Sequence, residues 1–184
     1  FDGNSFVHYS TANGLMSNTV VSITADKNGL VWFGTDKGIA KYDGKSFTNY
    51  YFQDGAKSVG ISCILEDNTG RLWAGANTGA LYYYDRGQWN CFNAANKIIN
   101  DIPFALLQDR GGNIWIGTRS GLTKFNGKTF LSYTEDDGLT SSNIYCLLQD
   151  MAGNIWIGTG GGGVLKYSPG SFYHITENEG LPRN

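Results

Sequence analysis

Few groups in this chain are suited to chemistry: two histidines, His8 and His174, three cysteines, Cys63, Cys91 and Cys146, and four Asp-x-x-Gly turns. A histidine pair could hold a metal or serve as a general base. Each histidine, however, stands two residues after a phenylalanine, Phe6 or Phe172, at one shared position. Asn49, Cys91 and Ser132 take that position elsewhere, so it tolerates polar and small side chains. No acid or nucleophile converges on either by spacing, and no catalytic or metal-ligating residue is assigned. Cys63 and Cys146 share another position, four before an aspartate, where Ser22 and Ala105 stand in for them. Small residues in all four places point to tight packing and not to reactive thiols. Three cysteines cannot all pair within the chain and none lies in a CxxC, which argues against a disulfide framework or zinc cluster.

The turns at Asp26, Asp67, Asp109 and Asp150 could offer oxygens to calcium. Each brings one reliable carboxylate, whereas a calcium loop alternates several. Lys27, Thr69, Arg110 and Met151 within them follow no ligand pattern, so capping of the turn by the aspartate is expected. The run from Gly158 to Gly163 matches GxGxxG, yet a dinucleotide site needs a helix start directly afterwards. Val164-Leu165-Lys166-Tyr167 reads as a strand, and no cofactor is expected. Trp32, Trp73, Trp115 and Trp156 could stack on sugars, but their apolar strand positions point to core packing.

What places these groups is an internal repeat. The four tryptophans are separated by 41, 42 and 41 residues. A glycine follows each by two and precedes it by three, and an aspartate precedes it by six. Each unit divides into four short strands. In the first unit Val20–Ala25 leads through Asp-x-x-Gly into Val31-Trp32-Phe33, apolar on both faces. A turn at Asp36-Lys37-Gly38 leads to Ile39–Tyr42, and Asp43-Gly44-Lys45 leads to Ser46–Tyr50. Tight turns joining short strands predict an antiparallel meander. The expected fold is all-β: four tandem four-stranded β-propeller blades with a partial blade before them. Boundaries are expected at 1–18 for the tail of a preceding blade, then 19–58, 59–101, 102–143 and 144–184. Residues 180–184 resemble the approach to a further first strand, so both ends cut through a longer array. Helical periodicity is absent, and solenoids rarely spend four strands on each repeat.

Composition agrees: 26 glycines and 3 prolines accompany 5 Trp, 11 Tyr and 10 Phe in 184 residues. A formal charge of −2 gives no reason to expect nucleic acid or an anionic membrane as partner. No apolar run approaches the roughly 18 residues of a membrane helix. Phe1-Asp2-Gly3 has no feature of a signal peptide.

Gly14-Leu15-Met16-Ser17-Asn18, then Asp26 to Gly38, then Tyr42-Asp43-Gly44-Lys45-Ser46-Phe47 resemble the two-component regulator propeller repeat. The likeness runs over essentially the whole chain. It implies a seven-bladed propeller in the periplasmic sensor region of a hybrid two-component regulator, a class in which many members detect polysaccharide breakdown products. The second unit departs from the pattern, with Ala74-Gly75-Ala76, with Trp89 in place of Phe, and without the Gly-Leu lead into the third. The turn at residues 160–163 is one residue longer than its counterpart at Asp36.

In such a blade the inter-blade connectors and the turns between strands two and three share one face. That face carries the varied residues, whereas the opposite face repeats Asp-x-x-Gly and Asp-Gly. Function concentrates on varied loops held by a rigid scaffold. A small-molecule or oligosaccharide ligand is therefore expected here, with Asp36, Lys37, Asn77 and Arg119 as first candidates. The connectors 51–58 and 93–101 belong to the same face. Two other readings stand beside this sensor: an assembly module pairing with its own copies through open blade edges, and a propeller lyase, since streptogramin lyases resemble the Gly-x-[Val/Ile]-Trp-Phe strands. The lyase would need a convergent site that two histidines do not supply.

Overall fold

The computed structural model describes residues 5–92, 101–168 and 170–175. Four antiparallel sheets follow one another, each a meander of four strands in chain order. The first contains β1 (Val20–Ala25), β2 (Val31–Thr35), β3 (Gly38–Tyr42) and β4 (Phe47–Tyr50). After a two-stranded hairpin, β5 (Gln53–Asp54) and β6 (Lys57–Ser58), the second contains β7 (Ile61–Glu66), β8 (Leu72–Ala76), β9 (Leu81–Asp85) and β10 (Gln88–Phe92). The third is β11 (Ala105–Gln108), β12 (Ile114–Gly117), β13 (Leu122–Phe125) and β14 (Phe130–Tyr133). The fourth is β15 (Ile144–Gln149), β16 (Ile155–Thr159), β17 (Val164–Ser168) and β18 (Ser171–Ile175). These are the propeller blades foreseen from the repeat.

First strands of successive blades lie side by side, β1 against β7, β7 against β11 and β11 against β15. Fourth strands approach one another far less, so the first strands are innermost. Hydrogen bonds also join them: Ile64 N–H donates to the Ser22 hydroxyl at 3.0 Å, and the Ser62 hydroxyl donates to the Pro103 carbonyl just before β11. A second link was not foreseen. In the second, third and fourth blades the residue before the repeated aspartate reaches back to the preceding blade's turn. Glu66 accepts from Lys27 N–H at 2.9 Å, Gln108 from Asn68 N–H at 2.6 Å and Gln149 from Arg110 N–H at 2.8 Å.

The core is built between sheets. Trp32 stacks on Tyr50 of its own blade and meets Tyr84 and Trp89 of the next. Trp73 lies between Phe92 and Phe125, and Trp115 between Tyr133 and Tyr167. Only 1–2% of these three indoles is exposed, so none can receive a sugar. Trp89, where other units have Phe, fills a wider cluster with Trp32, Tyr50, Phe52 and Tyr84.

Among the described residues, two connectors carry a three-residue 3-10 turn, Thr11–Asn13 and Glu135–Asp137. Ser10 and Thr134 head them, and Gly14 and Gly138 close them with φ of 96° and 104°. The sequence Tyr-x₄-Gly-Leu before a first strand encodes this connector. Residues 5–9 carry no strand. Residues 93–100 of the second connector, 1–4 at the start and 176–184 at the end lie outside the described residues.

Three of the four first strands are irregular near their start. The pairing register slips between Val20 and Ser22, between Ile61 and Cys63, and between Ile144 and Cys146, so that Val21, Ser62 and Tyr145 are each inserted. Phe104 stands at the same position of the third blade, just before β11, and its N–H donates to the Gly117 carbonyl at 2.8 Å.

Candidate ligand-binding face

The two–three turns and the inter-blade connectors do share a face, tied together by backbone bonds. Asn77 N–H donates to the Gly60 carbonyl at 2.9 Å, and Gly160 N–H to that of Asn143 at 2.8 Å. Asp36 N–H reaches the Thr19 carbonyl at 3.4 Å, and the Ser120 hydroxyl bonds the Asp101 carboxylate at 2.7 Å. The Gly-Thr-x-x-Gly motif builds these turns. Buried Thr35 and Thr118 each bond the closing glycine's carbonyl, of Gly38 at 3.0 Å and Gly121 at 3.1 Å. Each also accepts the N–H two residues on, from Lys37 and Ser120. The longer turn at Gly160 is closed the same way, from Thr159 to the Gly163 carbonyl at 2.9 Å. It joins β16 to β17, so its GxGxxG spacing opens no helix.

The second unit, with Ala76 in place of Thr, relies on Asn77 instead. The Asn77 side-chain carbonyl accepts Gly60 N–H at 3.1 Å. Asn77 is therefore partly committed to holding the turn.

Between blades one to three this face sinks into a concavity of about 250 Å³. Val21, Ile61, Ile102 and Phe104 provide its apolar lining, and Asp36, Ser62 and Asn77 its polar one. Arg119 places its guanidinium over the Phe104 ring, 5.1 Å from the centroid, within cation–π range. Of the four residues selected from the sequence, Asp36 and Asn77 line this concavity together with Phe104, and Arg119, outside the lining, lies over the Phe104 ring. Lys37 is exposed at the next position of its turn, outside the lining. An acid and a base of opposite charge flank an apolar floor with an aromatic ring. Such a site can hydrogen-bond a polyhydroxylated ligand at its rim and pack against the ligand's apolar face.

Phe104, Val21 and their counterparts Ser62 and Tyr145 were not among the residues selected from the sequence. A signal for them exists: they stand five residues before each repeated aspartate, a position that differs in size and polarity in every copy. Tyr145 sits beside Phe104, with ring centroids 5.9 Å apart in an edge-to-face arrangement. Its hydroxyl accepts from Asn143 Nδ2 at 3.0 Å.

The opposite face is occupied by its own bonding. Asp26, Asp67, Asp109 and Asp150 use one carboxylate oxygen for turn N–H groups. The other oxygen accepts the indole N–H of the tryptophan six residues on, at 2.7–2.9 Å. Burial alone would raise the pKa of Asp67 and Asp109. Bonds from Thr69, Trp73 and Arg71, and from Trp115 and Asn113, outweigh it and hold both below the usual carboxylate range. Asn154 and Trp156 lower Asp150 to about 2. Among the described residues, no group of three His, Cys, Asp or Glu side chains is placed to hold a metal ion. His174 bonds the Gly162 carbonyl at 2.8 Å, and His8 lies in the exposed leading segment. Burial pushes the Cys63 thiol up to about 11, while Cys146, in the last described blade, is exposed.

The profile described as two component regulator propeller matches residues 14–37, 55–78, 97–120 and 138–161, together more than half of the chain. No curated protein sequence matches the chain. Among solved structures, the chain is similar to the extracellular domain of BT3049 from B. thetaiotaomicron, described as a hybrid two component system. Identity is 28% and the TM-score 0.78, over 91% of this chain and 23% of that one. Two further likenesses show the fold alone. Virginiamycin B lyase from Staphylococcus aureus is 14% identical with a TM-score of 0.71, over 85% of this chain and 55% of that one. PorZ, a surface component of the type-IX secretion system of Porphyromonas gingivalis, is 16% identical with a TM-score of 0.72, over 100% of this chain and 30% of that one. The chain spans about a quarter of the length of the two-component relatives it matches. No helix among the described residues is long and apolar enough to cross a membrane. Four matched repeats folded as four successive blades place the chain in the two-component regulator propeller family.

Proposed function

We propose that the chain is a non-catalytic, ligand-sensing segment of the periplasmic part of a hybrid two-component regulator, and that it recognises an oligosaccharide on the connector face. The observation that carries this reading is a concavity lined by Asp36, Asn77 and Phe104, with Arg119 over the Phe104 ring. Sugars present hydroxyls at their edges and C–H groups on their faces, and this site offers partners for both. The likeness to an extracellular two-component domain supports the sensor role and the location.

The test is binding of the intact protein to an array of defined neutral and uronic oligosaccharides, followed by calorimetry on the strongest hit. Alanine at Asp36 and Arg119 together is expected to weaken that binding by about tenfold or more, as expected for hydrogen bonds to charged groups. Binding unchanged in the alanine variants of all four residues, Asp36, Lys37, Asn77 and Arg119, would remove the assignment.

A further inference from the structure

The inserted residues of the innermost strands form a set. A β-bulge re-aims one side chain out of the alternation of its strand, and bulges gather beside functional sites. Here the same insertion recurs in the first, second and fourth blades, at the end of the first strand that meets the connector face, and Phe104 holds the equivalent position in the third. Val21, Ser62 and Phe104 line one concavity, and Phe104 touches Tyr145. The four therefore make one continuous arc around the inner rim of the face.

The neighbouring positions behave differently. The residue after each bulge is small in every copy, Ser22, Cys63, Ala105 and Cys146, because it packs beneath the second-strand glycine. A Cβ on Gly75 or Gly158 would meet the Cys63 or Cys146 sulfur at 2.7 Å or 2.3 Å. The residue before is Val20, Ile61, Pro103 or Ile144, apolar throughout. Only the bulge position ranges over an aliphatic, a hydroxyl, a phenyl and a phenol. The bulge-position residues are exposed in the first and fourth blades, Val21 by 58% and Tyr145 by 49%, and half-buried at Ser62 and Phe104. The aromatic pair is held in place, Phe104 beneath Arg119 and Tyr145 by Asn143. Ser62 turns its hydroxyl to the Gly75 and Pro103 carbonyls and leaves a low point between Val21 and Phe104.

We infer that the bulge position of each innermost strand is the specificity-determining position of this face. Phe104 and Tyr145 form the stacking platform for a sugar ring, and Val21 and Ser62 set the shape of the adjoining subsite. The inference rests on the oligosaccharide reading above and adds residues to it.

The experiment uses the same oligosaccharide array with five single variants of the intact protein, each checked for folding by near-ultraviolet circular dichroism. Phe104→Ala and Tyr145→Ala are expected to weaken the strongest wild-type hit about tenfold or more, since each removes a stacking face. Val21→Phe is expected to reorder the ranking of hits. Ile23→Ala and Leu148→Ala, exposed on the same innermost strands but outside the bulge, should leave affinity and ranking unchanged. Folded bulge variants that keep the wild-type affinity and ranking would overturn this inference and leave the sensor reading intact. Absence of wild-type binding to every sugar on the array would overturn the oligosaccharide reading itself, and this inference with it.

Discussion

Trp73 donates its indole N–H to Oδ2 of Asp67 at 2.8 Å, and both residues are buried, 2% and 7% exposed. The bond recurs in all four blades and accounts for the constant spacing of six between aspartate and tryptophan. One carboxylate caps the Asp-x-x-Gly turn and satisfies the only polar atom of a core indole. Turn geometry and inter-blade packing are therefore coupled through a single side chain.

Replacing Asp67 by Ala should destabilise the chain by about 2–4 kcal/mol, because it leaves a buried indole N–H and two turn N–H groups without an acceptor. Asp67→Asn, which keeps the shape and one acceptor oxygen, should cost less. Urea unfolding at neutral pH, followed by tryptophan fluorescence, measures both. Equal losses for the two variants would contradict the role of the oxygen that caps the turn.

Acid should unfold the chain through the same groups. Asp67, Asp109 and Asp150 have lower pKa values in the folded chain than the unfolded value near 4. The unfolded chain therefore binds more protons in this range, and stability rises with pH. What these carboxylates contribute is present above about pH 4 and is lost as pH falls through the folded values, about 2 for Asp150. Urea midpoints between pH 2 and pH 6 should show a decline that is shallower in Asp67→Asn.

Side-chain links between blades should be measurable one at a time. Gln108→Ala and Gln149→Ala each remove an acceptor for a turn N–H of the preceding blade. These turns are exposed, so a loss of about 0.5–1.5 kcal/mol is expected for each. Thermal melts of the two variants measure each loss.

Glycines with positive φ should separate into two classes. Gly121 has φ of 130°, and an added Cβ would lie 2.5 Å from the Tyr133 carbonyl oxygen. Gly127 has φ of 90° with open space around it. Gly127→Ala should cost about 1–2 kcal/mol from backbone conformation alone. Gly121→Ala should cost more, because the backbone of an adjacent strand must also move. Comparable unfolding midpoints would refute the steric part of this account.

Much of this protein was legible without coordinates. Period, strand number, turn chemistry and blade order follow from local rules: Asp and Gly set turns, and apolar runs set strands. Four copies of one frame made those rules unambiguous. Asp36, Lys37, Asn77 and Arg119 were selected by asking where the copies differ, since sequence variation marks loops released from packing. The links from Glu66, Gln108 and Gln149 were not legible, because each partner lies about one repeat away and exists only once blades are stacked. The bulges were hidden for a related reason. Whether a first strand carries one extra residue depends on its pairing with the second strand, and no composition rule counts it. The sequence alone determined a repeated four-stranded blade and the face where its copies diverge. Tertiary structure decided which divergent residues meet, placing Phe104 beneath Arg119 and beside Tyr145 by packing the inner strands of successive blades side by side.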